Sequence, residues 1–324
     1  MRITRRPRPL IDSPSAPAPD APASTLASPA PPNRGSVVRP GLLAPSLPVG
    51  AGPAWHVRAA DLPRLPDGRV DARAHCARVL EHIQRVRRAH PSHPCAVVFD
   101  LDNTLFDTRA RTLYALRRFD AEHGTAHFAG LSVDDVGWSG KETCGRLGLD
   151  PELTARVHEL WDRVFWSGDA FAQDLVMLPL FELAWAAKEA GAEVRYLTGR
   201  IDDLAAASLE QLVQAGLPDA RPECLFCKPS LETRTGPFKA EKLAEWMDAG
   251  HFVGWFATDN RAEVEDVLAL GAANRYAFPV VHVEHALQRP GVVANDVPAF
   301  PEADLSRRAT PAETRALHAL TRRQ

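Results

Sequence analysis

The sequence predicts an α/β protein built on a doubly wound parallel sheet. Two observations carry this reading. Short apolar runs rich in β-branched residues alternate with helical patterns along the second half of the chain, an order that yields a parallel sheet covered on both faces. The residues best suited to chemistry stand directly after these runs, where such sheets place their ligands.

Taken in order, Asp71 to Arg88 has apolar residues at helical spacing (Cys76, Val79, Leu80, Ile83, Val86) and reads as an amphipathic helix ending before Pro91. CAVVF, Cys95 to Phe99, is bounded by Pro94 and Asp100 and reads as a buried strand. Leu178 to Gly191 is helical with a glycine stop, and EVRYLT follows as a strand. Asp202 to Gly216 reads as a helix with an aspartate N-cap. CLFC, Cys224 to Cys227, is the third strand, FKAEKLAEWMDAG a helix and HFVGWFAT the fourth strand. RAEVEDVLALG is a helix, and RYAFPVVHV, from Arg275, the fifth strand.

Between Leu105 and Met177 the alternation stops and the sequence is mostly helix-like, as in DPELTARVHELWDRVFW. This length after the first strand predicts a helical cap over residues 105–177, with the core in 56–104 and 178–283. Residues 284–324 read as a C-terminal extension ending in a helix-like stretch, PAETRALHALTRR. At the other end, 13 of the 28 prolines lie between Pro7 and Pro53. This Pro/Ala/Ser tract buries too little to offset its ordering entropy, so residues 1–55 are expected to be a disordered tail. Its six arginines against two aspartates leave the rest of the chain the more acidic part.

A net charge of -3 gives no large positive field, which argues against a duplex-coating nucleic-acid binder. No window approaches the roughly 18 apolar residues of a membrane span. Five cysteines in so long a chain do not make a disulfide framework, and a reducing, cytoplasmic setting is expected. Cys224 and Cys227, on opposite faces of a strand and without a second such pair, are expected to be buried thiols rather than zinc ligands.

The chemistry concentrates in FDLDNTLFDT, where Asp100 and Asp102 stand two residues apart after a strand, with Thr104 two further. Carboxylates crowded at a strand end need a balancing cation, and a hard oxygen-seeking ion such as Mg²⁺ is the natural one. A metal-bound Asp100 can attack phosphorus, and Asp102 can move the proton of the leaving group and of water. YLTGR places Thr198 and Gly199 at the next strand end, where a hydroxyl and backbone N–H groups can take phosphate oxygens. Lys239 opens a helix, and ATDNRAEVED supplies Asp259, Asn260 and Glu263 after the fourth strand. Lys228, in FCKPS, competes with Lys239 for the role of charge-balancing lysine. Asp259 suits a metal, while Glu263 either supports it or simply favours a helix start. The cap arginines Arg109, Arg111, Arg117, Arg118 and Arg146 and Lys141 can meet an anionic group, though helical arginines are mostly solvated and none stands out.

DLDNT, a strand ending in TGR, a lysine, and a strand ending in ATDN with an acid four further together resemble the haloacid dehalogenase superfamily of phosphohydrolases. The resemblance spans about residues 95–266. It implies a Rossmann-like sheet with a helical cap inserted after the first strand, Mg²⁺ dependence and an aspartyl-phosphate mechanism. It further implies Asp100 as nucleophile, Asp102 as general acid/base with its backbone carbonyl on the metal, and Thr198, Gly199 and Lys239 at the phosphate. Asp259 would be the metal-binding acid, with Glu263, Asn260 and Thr104 in support. The second aspartate of the motif argues for phosphoryl transfer over dehalogenation. The expected activity is hydrolysis of a small phosphorylated metabolite. A non-catalytic binding or scaffold protein on this fold, or a phosphotransferase to an acceptor other than water, stands as the alternative. Protein partners are unreadable.

Overall fold

A computed structural model of the chain describes residues 61–274, 280–287 and 293–321. The tail expected over residues 1–55 lies outside them.

Helix α1 (Ala72–Ala89) is capped by the Asp71 side chain, which accepts from the Arg73 N–H, and buries Cys76, Val79, Ile83 and Val86. Strand β1 (Cys95–Phe99) follows, buried at every residue. Next come β2 (Phe106–Asp107), helices α2 (Arg109–His123), α3 (Gly140–Arg146), α4 (Pro151–Phe165) and α5 (Gly168–Phe171), and β3 (Leu175–Met177). The alternating part runs α6 (Leu178–Ala190), β4 (Glu193–Ile201), α7 (Ala205–Ala215), β5 (Leu225–Lys228), α8 (Thr235–Asp248), β6 (Phe252–Thr258), α9 (Arg261–Asn274) and β7 (Val280–Val283). It closes with β8 (Ala299–Phe300), β9 (Arg308–Ala309) and α10 (Pro311–Thr321).

Six strands form one sheet in the order β5-β4-β1-β6-β7-β8. Every pairing within it is parallel. Numbered by their appearance along the chain, these strands lie as 3-2-1-4-5-6, the doubly wound arrangement whose ligand crevice opens where the order reverses. Here that point lies between β1 and β6. Because side chains alternate across a strand, the sheet feeds two apolar layers. Val97, Phe99, Val194, Tyr196, Trp255 and Ala257 pack with α1, α6 and α7. Val98, Leu197, Val253 and Phe256 face the other way, toward α8 and α9.

The helices between β2 and β3 have an apolar core of their own, centred on Leu116, Phe119, Phe128, Val157, Leu160 and Trp161. The two chain segments that connect them to the main sheet, β2 and β3, pair antiparallel, and β9 adds to β3 as a third strand. The C-terminal segment thus contributes to both sheets, through β8 and β9. Nothing in its sequence signals strands of two residues. Helix α10 docks on α7, where the Thr314 hydroxyl donates to the Ala215 carbonyl at 2.8 Å.

Three expectations about elements are corrected. Asp202 and Asp203 form a single 3-10 turn, and the residue preceding α7 is Leu204, which makes no side-chain cap. Cys224 sits in a 3-10 turn before β5 rather than on the strand, because Pro222 at its start favours a helical turn. Strand β7 begins at Val280, with residues 275–279 outside the described part. Both Cys224 and Cys227 are free buried thiols, and burial pushes each up to about 11. Among the described residues no helix is long and apolar enough to cross a membrane.

Candidate active site

The site gathers at the carboxyl ends of β1, β6 and β4. After Phe99 the chain leaves the sheet in a tight coil in which Thr104, Leu105 and Phe106 all donate backbone N–H groups to the Leu101 carbonyl. Asn103 takes a left-handed conformation there, with φ 56°, a backbone region asparagine tolerates better than most residues. Its side-chain oxygen accepts from the Thr108 hydroxyl at 2.8 Å. The coil is tied to the neighbouring strand end by the Thr104 hydroxyl, which accepts the Asp259 N–H at 3.0 Å. Thr104 therefore holds the first and last motifs together.

Asp100 is buried, with one carboxylate oxygen accepting the Leu101 N–H at 2.8 Å. The other lies 2.9 Å from the Lys239 ammonium. Lys239 is wholly buried and also donates to Glu263 at 2.7 Å. The Thr258 hydroxyl donates to the same Glu263 oxygen at 2.7 Å, and the Asn260 amide reaches the other at 3.3 Å. Glu263 is thus fixed by three donors and in turn fixes Lys239. Burial pushes the Asp100 carboxyl up to about 7, against the pull of Lys239 and with the repulsion of Glu263 added. Burial and the charges of Asp100 and Glu263 raise Asp259 well above the usual carboxylate range. Lys239 goes up as well, since Asp100 and Glu263 together outweigh its burial. Among the described residues the Asp259 carboxylate has no hydrogen-bond or ion-pair partner; only its backbone is engaged, by Thr104 and by His282 Nε2 at 3.3 Å from its carbonyl.

Asp102 lies in different surroundings. Arg200 grips its carboxylate with two bonds, Nε to Oδ2 at 3.0 Å and Nη2 to Oδ1 at 2.7 Å. Arg111, from α2, adds Nη2 to Oδ1 at 2.8 Å. Arg111 is itself held by Asp174, whose Oδ1 accepts from Nε at 2.9 Å and whose Oδ2 accepts from Nη2. Gln211 links the set, donating to Asp174 at 2.7 Å and accepting from Arg200 at 2.8 Å. Ser208 accepts from Arg200 at 3.0 Å. The Phe171 ring lies 4.4 Å from the Arg111 guanidinium carbon and 4.0 Å from that of Arg200. Burial opposes a charge on Asp102, yet Arg200 and Arg111 outweigh it and hold its carboxyl well below the usual range.

Thr198 is fully buried at the end region of β4, its hydroxyl accepting the Arg200 N–H at 3.2 Å. Gly199 is the one residue type that fits beside it: a Cβ there would come within 2.9 Å of the Thr235 methyl at the start of α8. Lys228 points elsewhere, donating to the Thr233 carbonyl at 3.2 Å.

The charges on the Asp100 side do not balance. Three carboxylates, Asp100, Asp259 and Glu263, meet one ammonium ion, Lys239. All the oxygens on offer are hard donors, which fits a cation of the Mg²⁺ class. Among the described residues no three His, Cys, Asp or Glu side chains converge as a metal site. The protein's share of such a site would be the Asp100 and Asp259 carboxylates and the Asp102 backbone carbonyl.

Of the residues picked from sequence, Asp100, Lys239, Glu263 and Asn260 fall into one bonded set, Thr104 is tied to the Asp259 backbone beside it, and Arg200 links Asp102 with Thr198. Asp174, Ser208 and Gln211 had no signal. Asp174 lies 63 residues from Arg111 in the chain, and a lone acid before a short strand resembles any other. Arg109 and Arg111 are buried, whereas Arg117, Arg118, Lys141 and Arg146 are exposed.

No protein-family model matches the sequence, and no curated protein matches it. Among solved structures the chain is similar to a putative phosphatase from Clostridium difficile, at 13% identity and a TM-score of 0.42, over 60% of this chain and 86% of that one. It is similar to a HAD-superfamily hydrolase of subfamily IA from Geobacter sulfurreducens, at 13% identity and a TM-score of 0.42, over 61% and 91%. It is likewise similar to Protein Tyrosine Kinase A from Mycobacterium tuberculosis, at 17% identity and a TM-score of 0.41, over 66% and 97%. At such values the likeness carries no conclusion about activity, which rests on the site itself.

Proposed function

We propose that the chain is a Mg²⁺-dependent phosphomonoester hydrolase of the haloacid dehalogenase type, acting on a small phosphorylated metabolite. The observation that carries this reading is the buried Asp100 carboxylate, placed at the reversal of the strand order and paired with Lys239 beside Asp259, whose carboxylate has no partner among the described residues. A bound divalent cation would neutralise charge on the transferring phosphoryl group and on the carboxylates around it.

Asp100 Oδ attacks phosphorus and the ester P–O bond breaks, leaving an aspartyl-phosphate and an alkoxide that must gain a proton. Water then attacks the acyl phosphate, releasing inorganic phosphate and restoring Asp100. Lys239 stays protonated throughout and offsets charge on the phosphoryl oxygens. The Thr198 hydroxyl and the backbone N–H groups around Gly199 orient those oxygens. Asp102 is the group for the proton in both steps. It gives the alkoxide a proton it carries into the first step and takes one back from the attacking water in the second, so that protons balance over the cycle; the two guanidinium groups that favour its anion favour the first transfer over the second.

Release of phosphate from p-nitrophenyl phosphate, followed with Mg²⁺ and with excess chelator, tests the reading. Turnover is expected only with the cation. Equal turnover under both conditions, or none with any phosphomonoester in a broad panel, overturns it.

A further inference from the structure

One hydrogen-bonding group in the Asp102 network is unused. Arg111 is completely buried, and its Nη1 has no partner among the described residues. The guanidinium is a rigid planar fork that can only donate. One side of it, Nε and Nη2, is spent on Asp174. At its end the remaining Nη2–H bonds Asp102 Oδ1, and the adjacent Nη1–H runs parallel to that bond. Nη1 is therefore aimed alongside the Asp102 carboxylate. Of the four charged groups in the network, only Asp102 is open to solvent, its side chain a quarter exposed while Arg111, Arg200 and Asp174 show none. The free donor lies on the guanidinium edge that meets Asp102, the carboxylate a leaving group would have to approach.

The network around it is complete. Asp174 uses both oxygens, Gln211 both ends, and Arg200 all three nitrogens. Two carboxylates balance two guanidiniums. The rings of Phe165 and Phe171 hold the Arg111 guanidinium from its faces, with centroids 4.5 and 4.4 Å from its central carbon, and give the edge nothing to bond. A charged donor locked in place with no acceptor matches a ligand that brings one.

We propose that Arg111 is the specificity-determining residue of this site: Nη1 takes an oxygen of the leaving portion of the substrate, which is therefore a phosphomonoester of an oxygen-bearing alcohol rather than of a plain alkyl or aryl one. This rests on the phosphatase reading for the direction of the leaving group. Asp174 is a positioning residue, acting through Arg111. A neighbouring hydroxyl and a carboxylate offer the same acceptor chemistry, and the choice between them falls to the probes.

The test uses the full chain with Mg²⁺ and three probes on one three-carbon skeleton: propyl phosphate, glycerol phosphate and phosphoglycerate. The wild type is expected to favour an oxygenated probe over propyl phosphate by about tenfold or more in kcat/KM, the scale of one charged hydrogen bond. Whether glycerol phosphate or phosphoglycerate leads tells hydroxyl from carboxylate. Arg111→Lys keeps a cation but loses the fork, and should cut the preference to within about threefold. Arg117→Gln, at an exposed cap arginine, should leave the preference whole. Should Arg111→Lys not fold, Asp174→Asn removes the charge that holds Arg111 and should reduce the preference several-fold. A wild type that treats all three probes alike, or a variant of Arg111 or Asp174 that keeps the full preference, overturns the inference. The same ratios are measured as binding to Asp100→Asn by calorimetry. No turnover, together with a preference in binding that depends on Arg111, would overturn the phosphatase reading and uphold the role of Arg111.

Discussion

On one side of the DLD motif, Asp100 shares Lys239 with Glu263 in a region that also holds Asp259, so three carboxylates surround a single ammonium ion. Two residues along, Asp102 shares Arg111 and Arg200 with Asp174, two carboxylates with two guanidiniums. The same residue type, separated by one leucine, is thus driven in opposite directions. Burial lifts Asp100 to about 7, while the arginines keep Asp102 ionised. The deficit of positive charge on the first side is what a divalent cation would fill, and an anionic phosphoryl group could approach only once it is filled. The second side is already neutral and has only a direction to offer, through the unused edge of Arg111.

The largest expected effect falls on the side that lacks charge. Asp100→Asn is nearly isosteric and removes the attacking oxygen's charge, so Mg²⁺-dependent phosphate release should fall to the background of the assay. Stability should not suffer, because the change also removes one of three crowded carboxylates. Turnover near the wild-type value, in protein free of contaminating phosphatases, would break the comparison at its root.

Asp102→Asn probes the neutral side and should cost less, about 10²–10⁴-fold for lost proton transfer. The loss should depend on the substrate. An alkyl phosphate needs its leaving oxygen protonated, whereas p-nitrophenolate leaves unaided, so the first step should suffer more with the alkyl ester. With p-nitrophenyl phosphate the hydrolytic step becomes the bottleneck, and a phosphate adduct on the Asp100 peptide should be trapped by mass spectrometry. Equal losses for both esters, with no adduct, would show that the clamped carboxylate takes no part in moving protons.

A third difference is thermodynamic. The carboxyl of Asp100 rises from the ordinary 3.8 to about 7 on folding, and Asp259 rises too. The folded chain then holds these protons more tightly than the unfolded one. The contribution of Asp100 to stability is full below about pH 4 and is lost as pH climbs through 7, and that of Asp259 is lost in the same sense as its own raised carboxyl ionises. A cation that pairs with the ionised carboxylates reverses that loss. Saturating Mg²⁺ at about a hundred times its Kd gives about 2.7 kcal/mol, or roughly 5–10 °C for a chain of this size. Differential scanning fluorimetry should show this shift near pH 8 and little of it near pH 5. The same shift at both values would mean that Mg²⁺ does not meet these carboxylates.

Much of the Asp100 side could be read from the chain, and much of the Asp102 side could not. Parallel strands bury both faces, so CAVVF and HFVGWFAT announce themselves as apolar runs, and the residues just past them, Asp100 and Asp259, fall at the sheet's carboxyl edge by construction. Glu263 follows because it stands in the first turn of the helix after β6; Lys239 follows from the helix that leads into β6, although that helix begins at Thr235 and Lys239 lies a turn inside it rather than at its opening. Arg111 belongs to a segment of helical spacing and Asp174 stands just before a three-residue strand, places where a charged residue normally faces water. Only the fold of α2, α5 and β3 around Phe165 and Phe171 turns both inward. Strands β8 and β9 escaped for a similar reason, since two residues set no period. Thr198 shows an intermediate case: TGR is a common turn sequence, and its weight came from position after a strand.

The smallest expected effect separates two lysines that the sequence left competing. Lys228 ends β5 at the outer edge of the sheet, and its ammonium is only partly buried, bonded to the Thr233 carbonyl at 3.2 Å. Lys239 has no exposure and stands 2.9 Å from Asp100. In water-facing surroundings a lysine that bonds one carbonyl contributes little, and its removal stays within about 0.5 kcal/mol, roughly a factor of two in any equilibrium it touches. Lys228→Met should therefore leave kcat/KM within about twofold and the Mg²⁺ response unchanged. The same substitution at Lys239 strips Asp100 and Glu263 of the ammonium partner they share, and should cost at least about a hundredfold, as the loss of one preorganised donor does elsewhere. Measured side by side on p-nitrophenyl phosphate, the two variants place the charge-balancing lysine. A hundredfold loss at Lys228 with a mild one at Lys239 would move it from the buried pair to the strand end, and the cation deficit on the Asp100 side would then need another explanation.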